Sequence, residues 1–456
     1  MTGAMYAAIA GLKTHMQNLN VIGNNIANVN TYGYKASRAV FKTSLYTTLT
    51  GGSNGTTVMG GTNPSQIGYG STVSSVDVDM STGNYAVTGK STDLMLDGDG
   101  FFLVGSKEIA LSFNGTTDDI SMLTALTLTR VGNFEFRADG YLAKEDGNCV
   151  YGFLCTGIVT EKMITPKIPD ENGDLVNNPD YNPALAGMKV GDPIFSDQLV
   201  PIRFPRVTTA YYKADGTLAQ ENEIWDPDDP TKLAPGISEG LAIAYPTVNQ
   251  YRNDPETGAR QVLVVGANGV GEYKNVDDLT ADDVLAVGHL YDAGYDPDQE
   301  DSTLPQARFT GISFDPNTGI ITATSSDTEQ VITIGCIAVG TVTNPNGVTN
   351  LGDNYYKAGD GSGRLSVSII GGNAKKMGIS QVNKSLLPDD ADNPDIYGLN
   401  VYSSSSHIIS NGLEMSKTDL AQEIASMILT QRGYQANTRI ITVTDAMLEE
   451  LVNIKR

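Results

Sequence analysis

Apolar residues recur at steps of four and three near both ends of this chain, and the middle lacks that rhythm. Near the N-terminus the line is Met5, Ile9, Leu12, Met16, Leu19, Gly23 and Ile26. It predicts a helix over residues 3–30 with a coiled-coil-like seam, about 42 Å long at the helical rise. Gly33, in TYGYK, predicts the stop. Near the C-terminus, residues 416–454 carry Leu420, Ile424, Met427, Tyr434, Ile441, Leu448 and Val452 at similar steps. A second stripe of Ile440, Val443, Met447, Leu451 and Ile454 runs beside it. This helix would be about 58 Å long, with Ser416 as its expected cap and Asp419 three residues on. Two apolar faces suit a helix with more than one neighbour. Neither terminal helix can bury its stripe alone. Packing on each other and on copies from other subunits would do so, and so would docking on the chain's own core.

Between the ends the pattern is that of strands. Residues 40–75 are rich in Gly, Ser, Thr and Asn and predict a linker or extended arm. From residue 76, short apolar or alternating runs separated by Gly, Asp and Asn predict sandwich or barrel domains. Residues 160–304 differ, with most of the prolines, acidic clusters such as WDPDDP, and one helix candidate, LTADDVLAVG. They read as a domain inserted into the first β body. The expected fold is therefore mixed and mainly β: long terminal α-helices packed as a coiled coil, with β-sandwich or barrel-like domains nested between them. The expected boundaries are 1–35 with 415–456 for the helical domain and 36–80 for the arm. The first β domain takes 81–155 with 305–414, and the inserted outer β-rich domain takes 156–304.

Composition narrows the function classes. The chain has 456 residues, 40% hydrophobic, and a net charge of −23. That charge argues against nucleic acid, whose phosphates need a basic surface, and against an anionic membrane. No apolar run of about 18 residues is present to span a bilayer. The N-terminus has no basic region ahead of its apolar part, so export without a cleaved signal peptide is expected. Cys149, Cys155 and Cys336 are too few and too loosely spaced for a disulfide framework or a zinc set. Cys155 and Cys336 sit in apolar runs and are expected as small buried residues. Pairing of Cys149 with Cys155 stays open. His15, His289 and His407 lie far apart in sequence and indicate no metal site.

Candidate chemistry is thin. DGDG at Asp97–Gly100 lacks the alternating ligands and terminal Glu of a calcium loop, and is expected to be a hairpin turn between two strands. The glycines of GANGVGEY, Gly266, Gly269 and Gly271, open no periodic helix, so a dinucleotide loop is not expected. DPDQED reads as a solvated charge run. No nucleophile elbow or Ser/His/Asp cluster is visible. No catalytic, cofactor-binding or metal residues are therefore predicted, no cofactor is expected, and the chain is not read as an enzyme.

Two long motifs at opposite ends change the picture. Asn24, Asn25, Ile26, Ala27, Asn28, Asn30, Thr31, Gly33, Tyr34 and Lys35 form one. Gln431, Arg432, Tyr434, Gln435, Ala436, Asn437, Ile441, Thr444, Asp445, Met447, Leu448 and Asn453 form the other. In this order they resemble the signatures of the flagellar axial proteins, the rod, hook and hook-associated subunits. NPSQIGYG (63–70) is similar to the arm of hook proteins, and DLMLDGDGFFLV to the first β domain of hook and rod proteins. The likeness covers residues 1 to about 155 and 305–456, and the insert matches in position alone.

The resemblance implies a structural subunit that polymerises outside the cell into a hollow, curved tube, with hook preferred because of the large insert. A distal rod subunit and, further off, a surface adhesin are the alternatives. The implied partners are copies of itself, the rod, hook cap and hook–filament junction proteins, and the export apparatus. No nucleic acid and no membrane insertion are expected. The seam residues Met5, Ile9, Leu12, Met16, Leu19 and Ile26, with Leu420, Ile424, Met427, Tyr434, Ile441, Leu448 and Val452, would form the subunit interface. Gln17, Asn18 and Asn20, with Asn24, Asn25 and Asn28, lie largely off that seam. They are expected on the lumen wall, where amides offer polarity without fixed charge, or else in bonds to neighbouring subunits.

Overall fold

The structure is a computed structural model describing residues 2–55, 59–107, 111–112, most of 123–213, strand segments between 225 and 292, 309–326, 331–370 except 360 and 364, and 402–454. The chain divides into two compact units, Met1–Asn84 with Met415–Arg456, and Tyr85–Glu414.

The first unit is built from helix α1 (Thr2–Ala27), a two-stranded ribbon and helix α2 (Leu420–Ile454). Alanine at 4, 7, 8 and 10 favours the start of α1. The helix ends because the chain turns through Asn28 and Thr31 into Gly33, whose φ of 67° is open to glycine at little cost. The start of α2 differs from expectation. Asp419, not Ser416, caps it: its Oδ1 accepts from the backbone of Ala421 at 2.9 Å and of Gln422 at 3.1 Å. A carboxylate is favoured there by the orphan N–H groups and the helix dipole. Ser416 Oγ is instead engaged with Thr418.

The stretch expected as an extended arm runs as an antiparallel ribbon. Strand β1 (Ser37–Thr43) continues into β2 (Tyr46–Thr50), and β3 (Ser65–Gly68) continues into β4 (Ser71–Val78). β1 pairs with β4 and β2 with β3, while Ser44 and Tyr69 bond across the junctions. The ribbon base lies along α1. Thr14 Oγ1 donates to the Ser71 carbonyl at 2.9 Å, and a Cβ on Gly70 would fall 2.9 Å from the Ala7 carbonyl.

The second unit is mainly β. Cys149–Ile158 pairs with Val331–Val342, and Phe101–Gly105 pairs with both, so the sheet curls back on itself. Its core holds Leu96, Phe102, Phe134, Val150, Leu154 and Ile337, all fully or almost fully buried. Pro193–Phe195 and Gln198–Pro201, which lie within the expected insert, also pair with Cys149–Ile158. Further on, Arg206–Lys213 pairs with Ile237–Ala244. The helix candidate at 279–288, the DPDQED run, and Gly266 with Gly269 lie outside the described residues.

DGDG is not a hairpin. Asp93–Asp97 pairs with Gly132–Asn133 and His407–Ser410, whereas Phe101–Gly105 belongs to the curled sheet. The motif therefore carries the chain from one sheet to another. Gly98 and Gly100 take φ of 117° and 123°, and a Cβ on Gly100 would meet Val339 at 2.4 Å. The buried guanidinium of Arg130 braces this crossing by donating to the carbonyls of Leu96 at 3.2 Å and Gly98 at 2.8 Å. Glu414 stands 3.9 Å away as its counter-charge.

All three cysteines are free and buried. Burial pushes the Cys149 and Cys155 thiols up to about 11 and Cys336 up to about 12. A raised thiol pKa leaves little thiolate at pH 8. An aromatic disulfide reagent added at pH 8 should therefore leave the native chain unmodified, and should titrate three thiols once denaturant is present. Prompt reaction of any thiol in the native state would contradict this packing.

Candidate assembly site on the terminal helices

α1 and α2 run antiparallel. Asn25 Nδ2 donates to Glu423 Oε1 at 2.9 Å, and Asn18 Nδ2 to Thr430 Oγ1 at 2.9 Å. A Cβ on Gly433 would lie 2.6 Å from the His15 ring, and one on Gly11 would lie 2.6 Å from Asn437 Nδ2. The contact line is thus made of glycines that admit a close approach and of side chains that bond across it.

The apolar seams are not this line. On α1 the buried residues are Ala8, Gly11, Thr14, Ile22 and Asn25, while Ile9 and Met16 are 48% and 50% exposed. Met5, Leu12, Leu19 and Ile26 are half-buried. The seam is offset by one residue from the line Ala8, Gly11, His15, Asn18, Ile22 and Asn25, which turns it by about 100° around the helix. On α2 only Thr430 and Thr444 are buried. Met427, Ile441 and Leu448 are half-buried, and Leu420, Ile424, Tyr434 and Val452 are exposed. The second stripe is exposed along its length. The helices are neighbours, as expected, but their contact is not the apolar seam on which a coiled-coil reading depends. A monomer seldom leaves so much contiguous apolar surface in water.

Asn25 is the hub of the N-terminal motif. Besides Glu423, its amide donates to the Ser37 carbonyl at 2.7 Å, and its Oδ1 accepts from Ser37 N and Tyr34 Oη, each at 3.0 Å. One side chain ties together the end of α1, the start of α2 and the ribbon base. Asn24 donates to Tyr34 Oη at 3.0 Å, Asn28 back-bonds to the Asn24 carbonyl at 2.9 Å, and Thr31 donates to Asn28 at 3.2 Å. Lys35 is buried and donates to the Ser81 carbonyl at 2.8 Å. Burial, helped by the Glu423 carboxylate, raises the pKa of Tyr34. Of the residues expected on a lumen wall, Gln17 and Asn20 are exposed, while Asn18 and Asn25 are engaged within the unit. In the C-terminal motif Gln431, Arg432 and Gln435 are exposed, and Asn437 meets Gly11.

Gly11, His15, Glu423, Thr430 and Gly433 were not singled out from sequence. A signal was present, since small residues also recur at helical steps as Ala4, Ala8 and Gly11, and as Ser426, Thr430 and Gly433.

Comparison with known proteins follows the same two ends. Residues 5–35 match the family described as flagella basal body rod protein, and residues 409–454 match flagellar basal body rod FlgEFG protein, C-terminal. The chain is 25% identical over 499 residues to the flagellar hook protein FlgE of Borreliella burgdorferi, covering 100% of both. It is 25% identical over 471 residues to FlgE of Salmonella typhimurium, covering 98% of this chain and 99% of that one. It is also 40% identical over 147 residues to the flagellar basal-body rod protein FlgG of Bacillus subtilis, covering 32% of this chain and 50% of that protein.

Proposed function

We infer that this chain belongs to the flagellar rod and hook axial family and is a structural subunit of the flagellar hook. Its likeness to hook proteins runs end to end, whereas the rod likeness stops at half of the rod protein. The observation that carries the mechanism is the outward-turned apolar surface of the helix pair. Apart from Ile22, the side chains buried along the α1–α2 line are polar or small, and those left over include Ile9, Met16, Ile424, Ile440, Val443 and Leu451. Copies of the chain cover them, and each such burial contributes about 1.5–3 kcal/mol before ordering costs. Repeated along a tube, these contacts carry load without any chemical step. The exposed seam residues are the subunit interface, and Gln17 and Asn20 remain candidates for the lumen. The hook cap, the junction proteins and the rod are the further partners this reading implies. Individually weak polar contacts between the β domains would let outer layers slide as the tube bends.

Antibodies to residues 160–304, applied to gently released flagella, test this reading by electron microscopy. Gold confined to a short curved segment between cell and filament is expected. Gold on a straight basal segment would instead identify a rod subunit.

A second expectation concerns the monomer. A helix whose apolar stripe has no cover is marginal in water, and the α1–α2 line buries few large side chains. Amide exchange should be fast over residues 3–27 and 421–454 in the monomer and slow in the polymer. Strong protection of both helices in the monomer would contradict it.

A further inference from the structure

The second unit holds a cavity of about 690 Å³ whose wall includes Asp93 and Asn133. These two residues stand opposite each other where Asp93–Asp97 pairs with Gly132–Asn133. Opposite residues of an antiparallel pair put their side chains on one face of the sheet. Both side chains are acceptors left without a donor. Asp93 is 6% exposed, and among the described residues no hydrogen bond or ion pair reaches its carboxyl group. Asn133 Oδ1 is buried and accepts no hydrogen bond. A buried acceptor left unpaired is destabilising, so this pair calls for a ligand that donates.

The cations in the wall do not supply those donors. They are Lys90, Arg137 and Lys144. Arg137 Nη2 donates to the carbonyls of Lys144 and Glu145, each at 2.6 Å. The Lys144 ammonium lies over the Tyr355 ring, 4.1 Å from its centre. Lys90 is exposed, and its side chain makes no bond to Asp93 among the described residues. With Arg137 and Lys144 engaged, the wall offers mainly acceptors: Asp93 and Asn133, with the exposed Glu135 and Glu145. Phe134, Phe136 and Ala138 add apolar wall.

We propose that this cavity binds the guanidinium of an arginine side chain carried on a peptide, with Asp93 and Asn133 as its acceptors. The inference goes beyond the hook-subunit reading and does not depend on it. A guanidinium carries donors only, in a planar fork that meets two acceptors side by side. It is more weakly hydrated than an ammonium and stacks on aromatic faces, which suits a wall made partly of carboxyl groups and partly of phenyl rings. The volume is far more than one guanidinium fills and lies in the range of pockets that enclose a larger ligand. Residues flanking the arginine therefore have room as well. The described residues bring no three His, Cys, Asp or Glu side chains together, so the site suits a hydrogen-bonding cation rather than a bare metal ion.

Binding of a dye-labelled Gly-Arg-Gly peptide to the full chain, kept monomeric, is measured by fluorescence anisotropy. Saturable binding is expected, weakened by about tenfold or more when uncharged citrulline replaces the arginine. Asp93→Asn should weaken it by about tenfold as well, with the circular dichroism of the chain unchanged. Glu135→Gln, at an exposed position where folding is not at stake, should weaken it to a smaller extent. Lys90→Ala should strengthen it by removing a like charge. Equal binding of the arginine and citrulline peptides would overturn the site, and so would binding indifferent to both Asp93→Asn and Glu135→Gln. Binding seen in Lys90→Ala alone would overturn it too, because Lys90 would then be the natural partner of Asp93. Displacement of the peptide by ethylguanidinium at equal concentration would overturn the peptide-borne arginine in favour of a free small cation.

Discussion

A chain carrying Met16→Asp should not form tubes, although Tyr85–Glu414 folds as before. Met16 is 50% exposed in the single chain, so the substitution costs the monomer little. In the proposed polymer the same position is covered by another copy. An unpaired carboxylate there must be desolvated or protonated, at a cost of several kcal/mol for each subunit added. That exceeds the gain of about 1.5–3 kcal/mol that burial of one apolar side chain supplies, and it recurs at every step of growth. The measurement is sedimentation with electron microscopy for assembly, and circular dichroism of the monomer for the β body. Tubes of wild-type length and amount would remove Met16, and the seam it belongs to, from the interface.

Asn25→Leu should loosen the joint between α1, α2 and the ribbon. The side chain is 1% exposed and makes four hydrogen bonds to three partners. Leucine leaves the backbone N–H and carbonyl of Ser37 and the Tyr34 hydroxyl without this partner. Each buried orphan costs about 1–3 kcal/mol, so a loss of roughly 3 kcal/mol or more is expected. Asn25→Asp keeps the acceptor but loses both donors and buries a second carboxylate against Glu423, and should be at least as damaging. The readout is amide exchange in assembled tubes, with Ser37 and the first turns of α2 losing protection first. Unchanged protection in Asn25→Leu tubes would show that the network is not what holds the joint.

These two residues mark the division between what could be read in advance and what could not. Met16 belongs to a periodic stripe, and periodicity depends on the chain alone: a residue every three or four positions falls on one helix face wherever the helix goes. The two terminal helices were legible for that reason, whereas the family resemblance rested on the motifs at Asn24–Lys35 and Gln431–Asn453. Asn25 was visible as part of a motif, but its role was not. An amide among apolar residues is equally compatible with a wet lumen wall and with a buried hub, and its partners at Ser37 and Glu423 are distant in sequence. The same holds for DGDG, where a Gly-Asp turn between two apolar runs reads as a hairpin. Strand pairing is decided by residues far away, and here it places the two flanking strands in different sheets.

The sequence by itself determined that both ends are amphipathic helices whose apolar stripes need cover from a neighbouring element or another copy. Only the tertiary structure decided which face of each helix is used internally. The closest approach of α1 and α2 follows Gly11, Gly433 and the hydrogen-bonding side chains between them, because small residues let two backbones come together and amides can be satisfied only at short range. The apolar stripe is turned away by one residue's rotation. In the proposed assembly other copies cover it; the hydrophobic effect is non-directional and does not by itself specify which surface does so.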